Sequence, residues 1–408
     1  MEEVLNPKKI LIVAENFYPE EFKINEVALQ WREKGYNVDV VTQFPSYPYG
    51  EIYEGYTNRW YQKDSYKGIN IYRVKAVTGY KTSLFKKILK YFSFMLLGTL
   101  VTLKIGKRYD YIFGFGVGAQ TSTTPAVILN KFYKKRVVLW ILDIWPDTVY
   151  AYGFKKTKLL SFFLDGFVRF LYKNTSALAI SSQGFKEKIK PYLTQEKEIL
   201  YAPNWADKLE ESSEEFAFSQ DKTVHFTFAG NVGKVQNLEN VIKGFGSLDA
   251  AFLKKAQLNI IGDGSSLEEL KALVEKEKIN NIVFWGRKPK QEMQKYFQAS
   301  DFLIVSLVER PIFALTVPAK VQTYMAAKKP ILAILNGDAA RVVQEHRCGF
   351  SAEPNDIQQI KKLFEKAIEL SSDEKRVLGE NAKHLSQTLF DKEKIIQDLL
   401  DLTIGEKQ

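Results

Sequence analysis

The amino-acid sequence predicts an α/β protein with two domains of mostly parallel sheet. Its 408 residues exceed one compact core and suit two domains of ordinary size. A composition 45% hydrophobic and 13% aromatic fills two cores, which excludes disordered and low-complexity architectures. Short β-branched runs alternate with longer helical patterns along the whole chain, as βαβ units require.

The elements follow in order. Lys9 to Ala14 reads as a buried strand, Ile24 to Lys34 as a helix stopped by Gly35, and Asn37 to Thr42 as the next strand. Further strands are expected at 69–75, 111–115, 136–142, 177–181 and 199–202. An acidic, Ser-containing stretch between Asp207 and Asp221 reads as linker. A second α/β series then begins, with strands at 224–229, 257–261, 281–284, 302–305 and 330–334. The expected domains are 1–205 and 206–388, both Rossmann-like, with a last helix in 389–408 that packs back on the first domain. No short period recurs, so solenoids and propellers are excluded.

Only one cysteine, Cys348, is present, which excludes a disulfide scaffold and a cysteine-based zinc cluster. No apolar run precedes Lys9, so a secretory signal is not expected and the chain reads as cytoplasmic. The net charge of +10 is unevenly held: residues 1–208 carry 31 Lys and Arg against 19 Asp and Glu, and residues 209–408 carry 27 against 29. A one-sided positive field suits an anionic surface. No nucleic-acid-binding motif accompanies it, so nucleic acid is not expected as a partner.

The lysines indicate a membrane surface instead. Lys86, Lys87 and Lys90 precede an uncharged run, Tyr91 to Leu103, that contains Phe92 and Phe94. Thirteen residues fall short of the roughly 20 that cross a bilayer, so an interfacial helix is expected, with rings buried and lysine stems snorkelling. Leu159 to Lys173, with Phe162, Phe163, Phe167, Phe170 and Leu171, repeats the chemistry. Amphipathic core helices would show the same pattern.

Two doubly wound halves suggest a nucleotide ligand at a sheet's carboxyl edge. The first strand leads into Glu15-Asn-Phe-Tyr-Pro-Glu-Glu-Phe22, without the Gly-x-Gly-x-x-Gly of a dinucleotide binder, so a hydride-transferring dehydrogenase is not expected. In the second half, Gly230-Asn231-Val-Gly233-Lys234 follows a strand and opens a helix near Asn237, a diphosphate-binding arrangement of small residues, helix N-terminus and cation. Gly262-Asp263-Gly264, then Trp285-Gly-Arg287, then Glu309 to Lys320 with Thr316-Val317-Pro318, come next in that order.

This series resembles the nucleotide-sugar domain of retaining glycosyltransferases of family four, which have the GT-B fold, two Rossmann-like domains with parallel sheets facing across a cleft. The first half carries similar landmarks in Phe17-Tyr-Pro-Glu20, Leu142-Asp143-Ile-Trp-Pro-Asp147, Ile180-Ser-Ser182 and Pro203-Asn204-Trp205. The resemblance is to the bacterial branch that builds capsule, O-antigen and slime polysaccharides. It implies transfer of a sugar, in some members an N-acetylated deoxy-aminosugar, from a nucleotide-sugar donor, with UDP expected, to a polyprenyl-diphosphate-linked saccharide at the inner leaflet. It implies no cofactor. No Asp-x-Asp occurs in the chain, so metal is not expected.

Carried over residue by residue, the resemblance gives Gly230, Asn231, Gly233 and Lys234 to the donor diphosphate, Gly262, Asp263 and Gly264 to the nucleoside pocket, and Trp285 and Arg287 to the base. Thr316, Val317 and Pro318 would offer backbone amides to donor oxygens, with Lys320 adding charge. The sequence departs from the family at three places. Glu21-Phe-Lys23 stands where a paired-Gly loop is common, Thr323 stands where a ribose-binding glutamate is usual, leaving Gln322 or Tyr324 for that role, and Leu142 stands where many members place a histidine. Asp143 and Asp147, with Glu20 behind them, are therefore the candidate catalytic carboxylates. The degraded positions also fit a non-catalytic, membrane-associated partner of the same fold, and the fold alone fits a nucleotide-sugar epimerase.

Overall fold

The computed structural model describes residues 7–80, 83–151, 154–206, 216–218 and 223–406. The chain divides into two compact units, Met1–Ala202 with Glu393–Gln408, and Pro203–Lys392. Apart from 216–218, the acidic stretch read as linker lies outside the described residues.

The first unit is built on eight strands: β1 (Lys9–Ala14), β2 (Asn37–Gln43), β3 (Tyr61–Tyr66), β4 (Ile69–Val74), β5 (Tyr111–Gly116), β6 (Arg136–Ile141), β7 (Ala177–Ile180) and β8 (Ile199–Tyr201). They lie in the order β3-β4-β2-β1-β5-β6-β7-β8, all parallel except β3. Central strand β1 is fully buried from Ile10 to Ala14, the continuous apolar run that a sheet covered on both faces demands. Strand β3 escapes sequence reading because Tyr-Gln-Lys-Asp-Ser-Tyr alternates exposed and half-buried residues at an antiparallel edge and has no apolar run.

Four helices matter to the first unit: α1 (Lys23–Glu33), α2 (Leu84–Ile105), α3 (Thr124–Tyr133) and α4 (Lys158–Lys173). The chain moves one way across the sheet from β1 to β2 and the other way from β4 to β5, β6 and β7. Right-handed crossovers therefore put α1 on one face and α2, α3 and α4 together on the other. The C-terminal helix, Lys392–Ile404, belongs to this unit. The Trp31 indole on α1 donates to the Ile396 carbonyl at 3.1 Å, Arg136 donates to the Leu402 carbonyl at 3.0 Å, and Ile395, Ile396, Leu399 and Leu400 are buried.

The second unit has six parallel strands: β9 (Val224–Ala229), β10 (Ala256–Ile261), β11 (Ile282–Gly286), β12 (Phe302–Ser306), β13 (Ile331–Ile334) and β14 (Gly349–Ala352). Their order, β11-β10-β9-β12-β13-β14, is that of a dinucleotide-binding sheet, with the direction of winding reversing between β9 and β12. The short run Gly-Phe-Ser-Ala of β14 is the one strand here that the sequence pattern left unmarked.

Candidate functional site

In the second unit the loops after β9 and β10 meet at the reversal point. Gly230 and Gly262 adopt φ of +137° and +141°, conformations that L side chains rarely take. A Cβ on Gly262 would stand 1.8 Å from the Gly230 carbonyl oxygen, and one on Gly264 would stand 2.4 Å from that of Val232. The loops are cross-tied by hydrogen bonds from Gly230 N–H to Ile261 O and from Val232 N–H to Asp263 O, both 2.9 Å. Glycine here permits backbone to lie on backbone.

These loops open onto a cavity of about 480 Å³. It brings together six expected residues, Gly230, Asn231, Gly262, Asp263, Arg287 and Lys320, with Lys288, and adds Lys290, Phe297 and Thr323. Lys320 Nζ donates to Gln236 Oε1 at 3.0 Å, and burial pushes its pKa down to about 7. The lining is thus cationic, with Asp263 tied by its Oδ1 to the Gly264 N–H at 2.7 Å. The run Arg287-Lys-Pro-Lys290 after β11 was a readable signal for Lys290. Phe297 gave none, since an aromatic on an amphipathic helix reads as core.

Other expectations need correcting. Trp285 does not line the cavity: its indole donates to Asn259 Oδ1 at 2.9 Å and packs among Phe216, Phe218 and Tyr296. Gln322 is buried, and its amide turns to the carbonyls of Pro318 and Ala319 at 2.7 and 3.1 Å, away from any ribose. Of the three residues expected to offer amides, Pro318 has no N–H and the Thr316 N–H is taken by Phe313 O at 3.2 Å. The N–H groups of Val317, Ala319 and Lys320, at the start of helix Ala319–Ala326, remain without a partner among the described residues. Gly233 and Lys234 lie in the same loop as Gly230, just before Asn237, which caps helix Leu238–Gly246 at φ 52°.

In the first unit, the carboxyl edge of the sheet gathers the three candidate carboxylates, but in different states. Asp143 follows β6 and accepts from the Gly118 N–H at 2.6 Å, its only partner among the described residues, while burial raises its pKa. Glu20 is buried and fully engaged: Oε1 accepts from the Ser46 and Tyr47 N–H groups, both at 2.7 Å, and Oε2 from Asn16 at 2.8 Å. It anchors the Phe44 to Gly50 loop. Asp147 pairs with Lys188 at 2.9 Å in a half-exposed ion pair. Of the three, Asp143 has the fewest side-chain partners among the described residues.

Helix α2 corrects the membrane expectation in part. Lys90 and Phe94 point inward: Phe94 is fully buried, and Lys90 pairs with Glu15 at 3.1 Å under the Tyr80 ring. Burial works against the Lys90 charge, but Glu15 and Tyr80 outweigh it and raise its pKa above the ordinary lysine value. Lys86 is exposed, and the Lys87 side chain lies outside the described residues. The exposed stripe is Phe85, Leu89, Phe92, Leu96 and Leu100, at helical spacing. The helix is longer than the uncharged run, and Ile88–Arg108 is long and apolar enough by length and composition to cross a membrane. Its other face is nevertheless committed to the unit, since Gly98 lies against Pro125 and Gly106 against Leu129 of α3. On α4, Leu159, Phe162 and Phe163 are exposed, while Leu171 is core and Phe167 and Phe170 are half-buried. Phe132 of α3 adds a further exposed ring on the same sheet face.

Comparison with known proteins bears on these sites. Residues 207–385 match the family Glycosyl transferases group 1. The chain is 28% identical to a probable glycosyltransferase, WbjE, of Pseudomonas aeruginosa over 61% of this chain and 66% of the relative. It is 23% identical to a putative colanic acid biosynthesis glycosyl transferase, WcaI, of Escherichia coli over 68% of this chain and 71% of the relative. An uncharacterized glycosyltransferase of Methanocaldococcus jannaschii is 25% identical over 59% of this chain and 61% of its own length, so the chain aligns with just under two thirds of the first relatives. Among solved structures it is similar to sucrose-phosphate synthase from Thermosynechococcus elongatus (TM-score 0.69, 13% identity, 97% and 98% of the two chains). Anabaena HepE in complex with UDP and glucose gives a TM-score of 0.65 at 14% identity, covering 97% of this chain and 98% of the other. WaaG, a glycosyltransferase involved in lipopolysaccharide biosynthesis, gives 0.62 at 17% identity, covering 97% and 100%. The fold is therefore GT-B: two Rossmann-like domains, each with a parallel sheet.

Proposed function

We propose that this chain is a glycosyltransferase of surface-polysaccharide synthesis that moves a sugar, with retention, from a UDP-linked donor to a polyprenyl-diphosphate-linked saccharide. The observation that carries the reading is the cationic cavity at the second sheet's reversal point, where crossed glycine loops, Lys320 and the open amides of Val317, Ala319 and Lys320 suit a nucleoside diphosphate. The relatives' names and the UDP held by Anabaena HepE support the same ligand class.

In the proposed reaction the bond from the anomeric carbon to the donor phosphate oxygen breaks, and a bond from the acceptor oxygen to that carbon forms. The acceptor proton passes to the departing phosphate. Negative charge grows on that phosphate, and amides and a lysine already in place stabilise it without reorganising. Asp143 orients an acceptor hydroxyl bound to the first unit. Cytoplasmic placement against the inner leaflet is proposed from the exposed stripe on α2, the rings of α4 and Phe132, and the positive first half of the chain.

Thermal unfolding of the whole chain with UDP, GDP, TDP and ADP tests the donor site, because a ligand of the folded state alone raises the midpoint. A rise with UDP is expected. No rise with any nucleotide would leave the fold without the chemistry and favour the non-catalytic partner.

A further inference from the structure

At the opposite, amino-terminal edge of the first sheet, β1, β2, β4 and the turn before β5 enclose a second polar cavity of about 360 Å³. Four cations line it, Lys9, Arg32, Lys63 and Arg108, against a single carboxylate, Asp39. Asp39 is already shared: it accepts from Tyr109 Oη and from Asn70 at 2.8 Å, and stands 4.0 Å from Arg108. Among the described residues no carboxylate lies within ion-pair distance of Lys9, Arg32 or Lys63.

Three of the four cations rest against groups of the cavity wall. Arg108 donates to Tyr72 Oη and to Tyr109 Oη, and Tyr109 is almost wholly buried. Arg32, in the last turn of α1, lays its guanidinium on Gly68, where a Cβ would stand 2.3 Å from Nη2. Only glycine, here at φ +78°, lets the guanidinium rest there. Lys63 lies 5.9 Å from the centre of the Tyr72 ring, on whose face Arg108 also sits at 5.5 Å. Four positive charges brought together by the fold against the one carboxylate of Asp39 raise the local potential for an anion. Planar guanidinium forks favour tetrahedral oxyanions.

We infer that this cavity binds a phosphate-type dianion, either a free phosphorylated molecule or a phospholipid headgroup presented beside α2, whose last turn leads into Arg108. The site lies at the sheet edge away from Asp143 and Glu20, so the bound anion is an effector or an anchor and not a reactant. It does not rest on the glycosyltransferase reading.

Calorimetric titration of the full chain with inorganic pyrophosphate tests it, comparing wild type, Arg32→Gln/Lys63→Gln and Lys320→Met. Both substituted cations of the first variant are exposed, and circular dichroism checks that it folds. Lys320→Met separates this site from the cavity of the second unit. The expected result is a binding event weakened about tenfold or more in Arg32→Gln/Lys63→Gln and kept in Lys320→Met. That outcome assigns a free anion. If pyrophosphate binding is indifferent to the pair but flotation with phosphatidate vesicles, measured against phosphatidylcholine vesicles, falls by a similar factor in the pair, the headgroup is the ligand. If neither probe distinguishes the pair from wild type, the inference is overturned, whatever becomes of Lys320.

Discussion

Lys320 Nζ stands 3.6 Å from the centre of the Phe228 ring, and no carboxylate pairs with it among the described residues. Burial strips water from its ammonium, and that desolvation lowers its pKa to about 7 in spite of the ring face, which favours the charge. An arriving diphosphate supplies the missing countercharge, so nucleotide binding takes up a proton. Affinity is expected to fall as pH rises from about 7 to 9, by up to about tenfold per unit, and Lys320→Met should erase that slope. Calorimetry across pH measures it.

The same residue makes a stability prediction. Without nucleotide, the unfolded lysine keeps its proton up to about pH 10.5, whereas the folded one releases it above about 7, so stability rises with pH in that window. Lys320→Met is expected to stabilise the free protein at pH 7 by about 1–3 kcal/mol while weakening nucleotide binding, read by urea unfolding with and without ligand.

Gly262→Ala forces a Cβ into the Gly230 carbonyl oxygen, at a φ that alanine resists. A loss of about 2 kcal/mol or more is expected, with nucleotide binding lost at temperatures where the second unit still folds. Differential scanning calorimetry of the free and nucleotide-loaded variant checks both.

Asp143→Asn keeps the shape and the acceptor for Gly118 N–H but removes the charge. Transfer is expected to slow about 100-fold with donor affinity unchanged. Burial raises the Asp143 pKa, so the folded state holds this proton at pH values where the unfolded chain has lost it, and stability falls as pH rises through that interval. The variant should lack that component of the pH–stability curve.

On α2, Leu96→Gln/Leu100→Gln changes two exposed side chains and should cost less than about 0.5 kcal/mol while reducing flotation with anionic vesicles. Lys90→Met, one turn from the stripe, is expected to cost about 3–5 kcal/mol because Glu15 is left charged and buried, with Glu15→Gln restoring part of the loss.

These contrasts show which features sequence could carry. Residues 10–14 and 302–305 announced themselves because a strand buried on both faces must be apolar throughout. Gly230 and Gly262 were legible because backbone contact admits no other residue. Lys90 was misread because a lysine among aromatics looks the same whether it snorkels to a headgroup or reaches Glu15, 75 residues earlier in the chain. Trp285 was misplaced for a related reason: its position at a strand end is local, but Asn259, which turns its indole away, lies 26 residues earlier on the neighbouring strand.

The hydrogen bond from Trp31 to Ile396 joins residues at opposite ends of the chain, so the order in which the units finish differs from the order in which they are made. During synthesis residues 203–392 are all joined before the helix that closes the first unit is made. Until then α1 and the strands beneath it leave Trp31 and its apolar neighbours uncovered. The nascent chain therefore carries an open first unit while the whole of the second is being made, and a stop codon just before Glu393 would leave it open.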